Sequence, residues 1–361
     1  MDSVSQRRHY PALSGLRFLF IMMIVMYHCW PLFASEMPDK ITLFFRENGG
    51  NWGNYMFFTI SGFLMCAHYK ENVHGGTTCG QFLLNRLRKL YPQYLVSMYA
   101  CVLFNFVVTG FTYVNFKYIL LNSLMMATGW VENIYQYNSP HWFAGVLMLC
   151  YVAFYGICVL ARKQKRYFTY GCVALMLWGY ILLSRNWNFP FCYFWDGEGF
   201  LSFFTGCLVY EFLHTAEIPE KMRARIIGAA AAAVTVFFGL SWFVGFEQLA
   251  GDSRYVLALL ICPAILMACV KWPVLSKILG NPLMERLGKL STTLFFWHIP
   301  VYQVVYYLWY GKGRFLNNES SWMRGAAFIA LLMAFCVVCA WIFEKLPALW
   351  CRSSKRCEHM N

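Results

Sequence analysis

The stretch 14-SGLRFLFIMMIVMYHCW-30 decides the fold class, because it is apolar enough for a membrane helix yet contains an arginine and a histidine. On an α-helix, the eleven steps from Arg17 to His28 make three turns plus about 20°. Both side chains therefore share one face and lie roughly 16 Å apart along the axis. Ionisable groups inside a hydrocarbon-length helix are costly and usually functional. The pattern predicts a polar path along one face of the first span.

The composition of the whole chain also indicates a membrane protein. Of its 361 residues, 59% are hydrophobic and 13% are charged, whereas soluble domains carry about 25% charged residues. Arg7 and Arg8 precede the first apolar segment, as in a signal peptide. The segment has no small-residue cleavage site, however, and it is too long for a leader. We therefore expect it to be a retained first span.

Hydropathy predicts an all-α fold, a polytopic integral membrane helical bundle of about ten transmembrane helices. Residues 1–345 would form the transmembrane domain and residues 346–361 a short basic cytoplasmic tail. The predicted spans are 13–34, 52–69, 90–110, 142–161, 167–184, 197–214, 226–245, 254–270, 291–310 and 323–343. Residues 116–131 contain several polar positions and are expected to be re-entrant or interfacial.

The distribution of positive charge predicts the orientation. With both termini in the cytoplasm, 21 of the 30 lysines and arginines fall in cytoplasmic segments, 8 fall on the opposite side, and Arg17 completes the total. This bias is the one expected for cytoplasmic loops. The net charge of +13 thus reflects topology and affinity for an anionic lipid bilayer, and gives no reason to expect a nucleic acid partner. The 15 cysteines form no metal or disulfide pattern, so we expect no metal site.

Five motifs in register carry a resemblance to a known family. They are 10-YPALSGLRFLFIMMIVMYH-28, 57-FFTISGFLM-65, 82-FLLNRLRKLYPQYL-95, 142-WFAGVLMLCYVAFY-155 and 296-FWHIP-300. In this order they resemble the acyltransferase-3 family of integral membrane O-acyltransferases, which includes bacterial glycan O-acetyltransferases. The first span of that family carries Arg or Lys, ten residues and then His, and Arg17 and His28 fit that spacing.

The resemblance implies an enzyme, an acyltransferase that transfers groups other than aminoacyl groups. It would move an acyl group, expected to be acetyl, from cytoplasmic acetyl-CoA or another acyl-CoA to a hydroxyl of an exported or surface carbohydrate or glycolipid. The protein would then be multi-pass in the plasma membrane, the inner membrane of a bacterium.

The chemistry of the first span agrees with that reaction. A neutral imidazole near pH 7 can take the hydroxyl proton as a base or hold the acyl group as a nucleophile. We expect His28 to do one of the two. Arg17 is expected to steer the donor or its thioester carbonyl, although snorkelling to the inner interface explains it as well.

A basic cluster at the inner end of the third span is the candidate site for the phosphates of the donor. It consists of Arg86, Arg88 and Lys89, and ordinary positive-inside anchoring also explains it. The family often has Arg-x-x-Arg here, so the second arginine is either replaced by Lys89 or shifted to Arg88. Lysine would keep the charge but lose the bidentate fork. A second departure is that Leu147 and Met148 stand where many members carry acidic residues.

Two further positions are candidates for contacts to the bound molecules. His298 lies about seven residues into the ninth predicted span, and we expect it to contact the donor arm or to brace the helix where Pro300 removes a backbone donor. Ser61, followed by Gly62, is a candidate for close helix packing or for a hydrogen bond to a substrate carbonyl, rather than for nucleophilic attack.

The acceptor is expected to arrive from the extracytoplasmic side, since His28 lies in the outer half of its span. The segment 191-FCYFWDGEGF-200 is predicted to be an outward-facing aromatic loop, and Asp196, Glu198 and Trp142 are candidate sugar-binding residues. An interfacial aromatic belt with solvated acids is the alternative.

A carboxylate that orients His28 is expected in the same outer region, where His141 also lies. The candidates are Glu132, Asp196 and Glu198, and the sequence does not choose among them.

Two other classes of function compete with the enzyme. A transporter or flippase of a glycosylated or acidic metabolite would also need a polar path with ionisable residues. The chain has no detectable inverted repeat and no pair of broken helices, which disfavours that class. A membrane scaffold would leave Arg17 and His28 unexplained.

Overall fold

The computed structural model describes residues 9–33, 48–131, 134–185, 187–245, 253–310 and 322–358. Regular secondary structure within these ranges is helical throughout, which confirms the predicted fold class. The helices are α1 (Pro11–Cys29), α2 (Gly49–His74), α3 (Cys79–Thr109), α4 (Phe116–Ser123), α5 (His141–Leu160), α6 (Arg166–Arg185), α7 (Phe194–His214), α8 (Glu220–Val244), α9 (Ser253–Lys271), α10 (Pro273–Leu279), α11 (Pro282–Lys289), α12 (Ser291–Tyr310) and α13 (Trp322–Glu358). Short 3₁₀ turns follow α1 and α3, and a π-helical turn lies within α9.

Seven of the described helices are long and apolar enough to cross a membrane, namely α1 with its 3₁₀ continuation, α3, α5, α6, α8, α9 and the first part of α13. The other three predicted spans coincide with α2, α7 and α12, which have 26, 21 and 20 residues but fall outside those seven. The total of ten spans and the cytoplasmic location of the termini stay predictions. Between α3 and α5, α4 has only eight residues, about 12 Å of helix, and cannot span a bilayer core of about 30 Å.

Helix α3 begins eleven residues before the predicted third span. A capping box starts it, because the Thr78 hydroxyl accepts from the Gln81 amide while the Gln81 side chain accepts from the Thr78 amide. The helix then continues through Pro92 for 31 residues, or about 46 Å. The basic cluster therefore lies within a helix and not in a turn.

Glycines allow α2, α6 and α7 to pack closely. A Cβ atom at Gly62 of α2 would overlap the Phe203 carbonyl of α7, and one at Gly206 of α7 would overlap the Thr59 carbonyl of α2. Gly179 allows the same close approach between α6 and α7. Inside a membrane the hydrophobic effect does not hold helices together. Small residues at such crossings stabilise the bundle because they allow close van der Waals packing.

The first helix, α1, contacts α2, α10, α11 and α12. Gly15 leaves no room for a side chain against the Leu279 carbonyl at the end of α10, and Gly288 leaves none against the Ser14 carbonyl. Helices α10 and α11 thus cover the start of α1. Helix α12 begins at Ser291, three residues after Gly288, and packs against α1.

Candidate active site

A cavity of about 450 Å³ lies between α1, α2, α3, α5 and α12, within the usual range of about 300–1,000 Å³ for small-molecule sites. Its end near the start of α1 is cationic, because Arg17, Arg86, Lys89 and Lys289 line it, together with two histidines. None of the described lining residues is acidic. The cavity therefore favours an anionic ligand.

Arg17 is a lining residue with a buried donor that needs such a ligand. It lines the cavity as the fifth residue after Ala12, on the face of α1 that also presents Leu13 and Ser14. Its Nε atom is buried and has no hydrogen-bond partner within the part of the chain that the structure describes. A buried charged donor without an acceptor is costly, so the geometry favours an anion or a carbonyl in contact with Arg17.

The three residues of the basic cluster lie on two different faces of α3. Arg86 and Lys89 are three residues apart, share one face and both line the cavity. Arg88 lies on another face and does not line the cavity, although Arg88 and Lys89 are both exposed. The guanidinium of Arg86 lies 3.9 Å from the ring centroid of Tyr69 and hydrogen-bonds its hydroxyl. Lys89, rather than Arg88, therefore occupies the place of the second arginine in the Arg-x-x-Arg pattern.

Aromatic rings enclose the opposite end of the cavity. The centroid of Phe57 lies 6.3 Å from those of Phe143 and Phe295, and the last two are 5.3 Å apart. Phe295 in turn lies 6.4 Å from the ring of His298. The cavity lining thus combines cationic and aromatic side chains, and Phe295 connects its aromatic part to His298.

His28 and His298 lie side by side beyond these rings. Their ring centroids are 5.2 Å apart and their planes are tilted by 43°. His298 is fully buried, and its Nδ1 atom is 2.9 Å from the Leu294 carbonyl oxygen. Counting residues from the start of the ninth span suggested a place near the donor arm, but the packing of α12 against α1 brings His298 next to His28.

The prediction of an outward-facing loop over residues 191–200 is wrong from Phe194 onward, because α7 begins there. Asp196 is fully buried, and one of its carboxylate oxygens accepts a hydrogen bond of 3.0 Å from the Tyr193 amide. Glu198 is also buried, with 2% of its surface exposed, so neither carboxylate is solvated. Trp142 packs against Trp195 with 4.5 Å between ring centroids.

The other predicted candidates fall in different places. Ser61 lines the cavity next to the Gly62 crossing, and Leu147 lines it from α5. Glu132 lies outside the described residues.

A buried polar cluster on the other side of α12 was missed. His141 Nε2 lies 3.2 Å from the Ser97 hydroxyl and 3.0 Å from the Asn138 amide nitrogen, which also donates to the Phe296 carbonyl at 2.8 Å. The His141 ring stacks on Tyr94 with 4.0 Å between centroids. This cluster ties α3 and α5 to α12 only two residues before His298.

Sequence reasoning also missed cavity residues that belong to no motif. Lys289 at the end of α11 and His68 on α2 both line the cavity. Lys289 resembled an ordinary loop cation, and only the packing of α11 on α1 brings it to the site.

A family model described as an acyltransferase domain matches residues 10–344, nearly the whole chain. The chain belongs to the acyltransferase-3 family. No curated protein and no solved structure matches it significantly. The matched range includes the cationic cavity and both neighbouring histidines, and family membership makes the protein a membrane acyltransferase.

Proposed function

We propose that the protein is an O-acyltransferase, and specifically an O-acetyltransferase, that uses cytoplasmic acyl-CoA to modify a hydroxyl of an exported or surface carbohydrate. Its place would be the inner membrane of a bacterium. One observation carries the proposal: a cavity lined by Arg17, whose buried Nε has no partner among the described residues, is also lined by Phe295, which lies next to the His28–His298 pair.

The charge of the cavity supports acyl-CoA as the donor. The phosphates of acyl-CoA are too strongly hydrated to enter hydrocarbon alone, and Arg17, Arg86 and Lys89 can pair with them. Charge-assisted hydrogen bonds to phosphate are among the stronger ones in proteins. The uncharged arm of the donor would then extend past Phe57 and Phe295 toward His28. Arg17 can alternatively bind the thioester carbonyl if the phosphates stay with the two α3 cations.

His28 can complete the transfer in either of two ways. As a base, it takes the proton of the acceptor hydroxyl while the hydroxyl oxygen attacks the thioester carbon. The carbon–sulfur bond then breaks, and His28 returns the proton to the departing thiolate. As a carrier, His28 attacks the thioester itself, releases the thiol and passes the acyl group to the hydroxyl. Both routes end in an ester and free CoA.

The carbohydrate acceptor is proposed from the family resemblance and from the place of His28 in the outer half of its span. The paired rings of Trp142 and Trp195 are the remaining candidates for stacking against a sugar. Because Asp196 and Glu198 are buried, we assign them no direct contact to the acceptor.

The proposal is tested by CoA release from radiolabelled acetyl-CoA, with purified protein in nanodiscs and with glycan acceptors present or absent. We expect wild-type protein to release CoA and His28→Ala to bind the donor without releasing it. His74→Ala is the matched control, since His74 lies at the end of α2 and is not among the lining residues. Transport of an unmodified solute without donor binding or cleavage would favour the transporter.

A further inference from the structure

The tautomer of His298 follows from its hydrogen bond. A carbonyl oxygen only accepts, so the Nδ1 atom 2.9 Å from the Leu294 oxygen must carry the hydrogen. In the neutral ring, Nε2 is then a proton acceptor with a free lone pair. This atom is buried and has no hydrogen-bond partner among the described residues. Leaving a buried acceptor unpaired costs stability, which indicates a partner that forms during the reaction.

The ring of His28 is in place to supply that partner. With 5.2 Å between centroids and a tilt of 43°, the nitrogen-bearing edges of the two rings can approach to a hydrogen-bond distance of about 2.9 Å. His28 gains a second N–H when it accepts a proton, and one N–H must then point away from the substrate. His298 Nε2 is a suitable acceptor for it.

We propose that His298 is a positioning residue that acts through His28 by accepting a hydrogen bond at Nε2. This inference rests on the proposed acyl transfer by His28. One nitrogen of His28 takes the hydroxyl proton, or attacks the thioester, while the N–H of the other nitrogen is donated to His298. No proton passes to His298. In the base route, the proton taken from the hydroxyl leaves with the thiol. In the carrier route, the N–H stays on His28, and the thiolate takes the hydroxyl proton when the acyl group passes to the acceptor. The hydrogen bond fixes the His28 tautomer and stabilises its positive charge, which a carboxylate does in other histidine-based sites.

The buried cluster behind α12 holds His298 in place for this role. Asn138 donates to the Phe296 carbonyl and to His141 Nε2, and Ser97 contacts the same nitrogen. The cluster is therefore joined to α12 through the backbone, two residues from His298. His141 Nδ1 is itself buried without a hydrogen-bond partner in the described residues, so His141 competes with His28 as donor to His298.

Two variants of His298 test the proposal in the full-length protein. We expect His298→Ala to lower kcat about 10- to 100-fold, the loss typical of one hydrogen bond to a charged group, with KM for acetyl-CoA unchanged. His298→Gln should recover part of kcat, because its amide oxygen can take the place of Nε2. Donor binding and thermal unfolding of both variants show whether they fold.

A double-mutant cycle separates this role from the others. If His298 acts through His28, the residual rate of the His28→Ala/His298→Ala double variant equals that of His28→Ala alone. A further loss in the double variant, a change in KM with kcat intact, or full activity of His298→Ala would each overturn the proposal. His141→Phe provides a second cycle. If it lowers kcat as much as His298→Ala does, and its effect is coupled to that of His298 but not to that of His28, the donor to His298 is His141 and the proposal is overturned. A wild type that cleaves no acyl-CoA would instead refute the proposed function itself.

Discussion

The two ends of the site are built differently. At the end near the start of α1, Arg17, Arg86, Lys89 and Lys289 come from three helices and line an open cavity. At the other end, two imidazole rings lie 5.2 Å apart behind a layer of phenylalanines, and a backbone carbonyl fixes one of them. Binding an anion tolerates long, adaptable cations, whereas proton transfer needs groups held in one geometry. We therefore propose that the first end binds the donor and that the second carries out the chemistry.

The largest expected effect is at the histidine end. His28→Gln should lower kcat by about 10²- to 10⁴-fold, the contribution of a positioned general base, while the Kd of acetyl-CoA stays within twofold. Single-turnover CoA release and equilibrium binding measure the two quantities on one preparation, with His74→Gln as the control. A raised Kd with kcat intact would reverse the assignment of the two ends.

The next effect is at Arg17, whose Nε atom is buried at the other end. Arg17→Ala should weaken acetyl-CoA binding by about 30-fold or more, since removing one partner of a buried charge pair costs 2–5 kcal/mol. Arg17→Lys should recover part of the affinity but not the geometry of the guanidinium. Isothermal titration in nanodiscs gives the Kd values. Unchanged binding in Arg17→Ala would mean that Arg17 has a structural role in α1 and does not bind the donor.

A sharper comparison lies within α3, where neighbouring cations face different ways. Lys89→Ala should raise the Kd of acetyl-CoA about three- to tenfold, with an effect that shrinks at high salt. Arg88→Ala, which removes the same charge from the face that does not line the cavity, should stay within twofold. Equal losses in the two variants would show that only the overall positive charge matters and that the cavity face does not.

The smallest effect is expected at Lys289, which is exposed at the mouth of the cavity. Lys289→Ala should raise KM for the donor about twofold at low salt and not at all at high salt, because exposed charges are well screened. Steady-state rates at two salt concentrations measure this. A tenfold, salt-independent loss would place the phosphates at Lys289 instead of deeper in the cavity.

Much of the candidate site could be predicted from the helical period of the sequence. It placed Arg17 and His28 on one face of α1, and the three-residue spacing of Arg86 and Lys89 identifies the pair that α3 turns to the cavity. Such inferences need only one helix, so they do not depend on how helices pack.

Features that depend on packing between helices could not be predicted. The closeness of His298 to His28 follows from the packing of α12 against α1, which neither helix sequence shows alone. Asp196 looked like a loop acid by composition, yet it caps α7 and is fully buried. One sequence pattern fits an exposed acid and a buried cap equally well, and only the neighbouring helices decide between them.

Electron cryo-microscopy of His28→Ala saturated with acetyl-CoA tests the division of labour most directly, because this variant should hold the donor without cleaving it. The account predicts phosphate density in contact with Arg17, Arg86 and Lys89 and a thioester between the Phe57–Phe295 layer and His298. Donor density outside the cavity, or a thioester at the charged end, would contradict it.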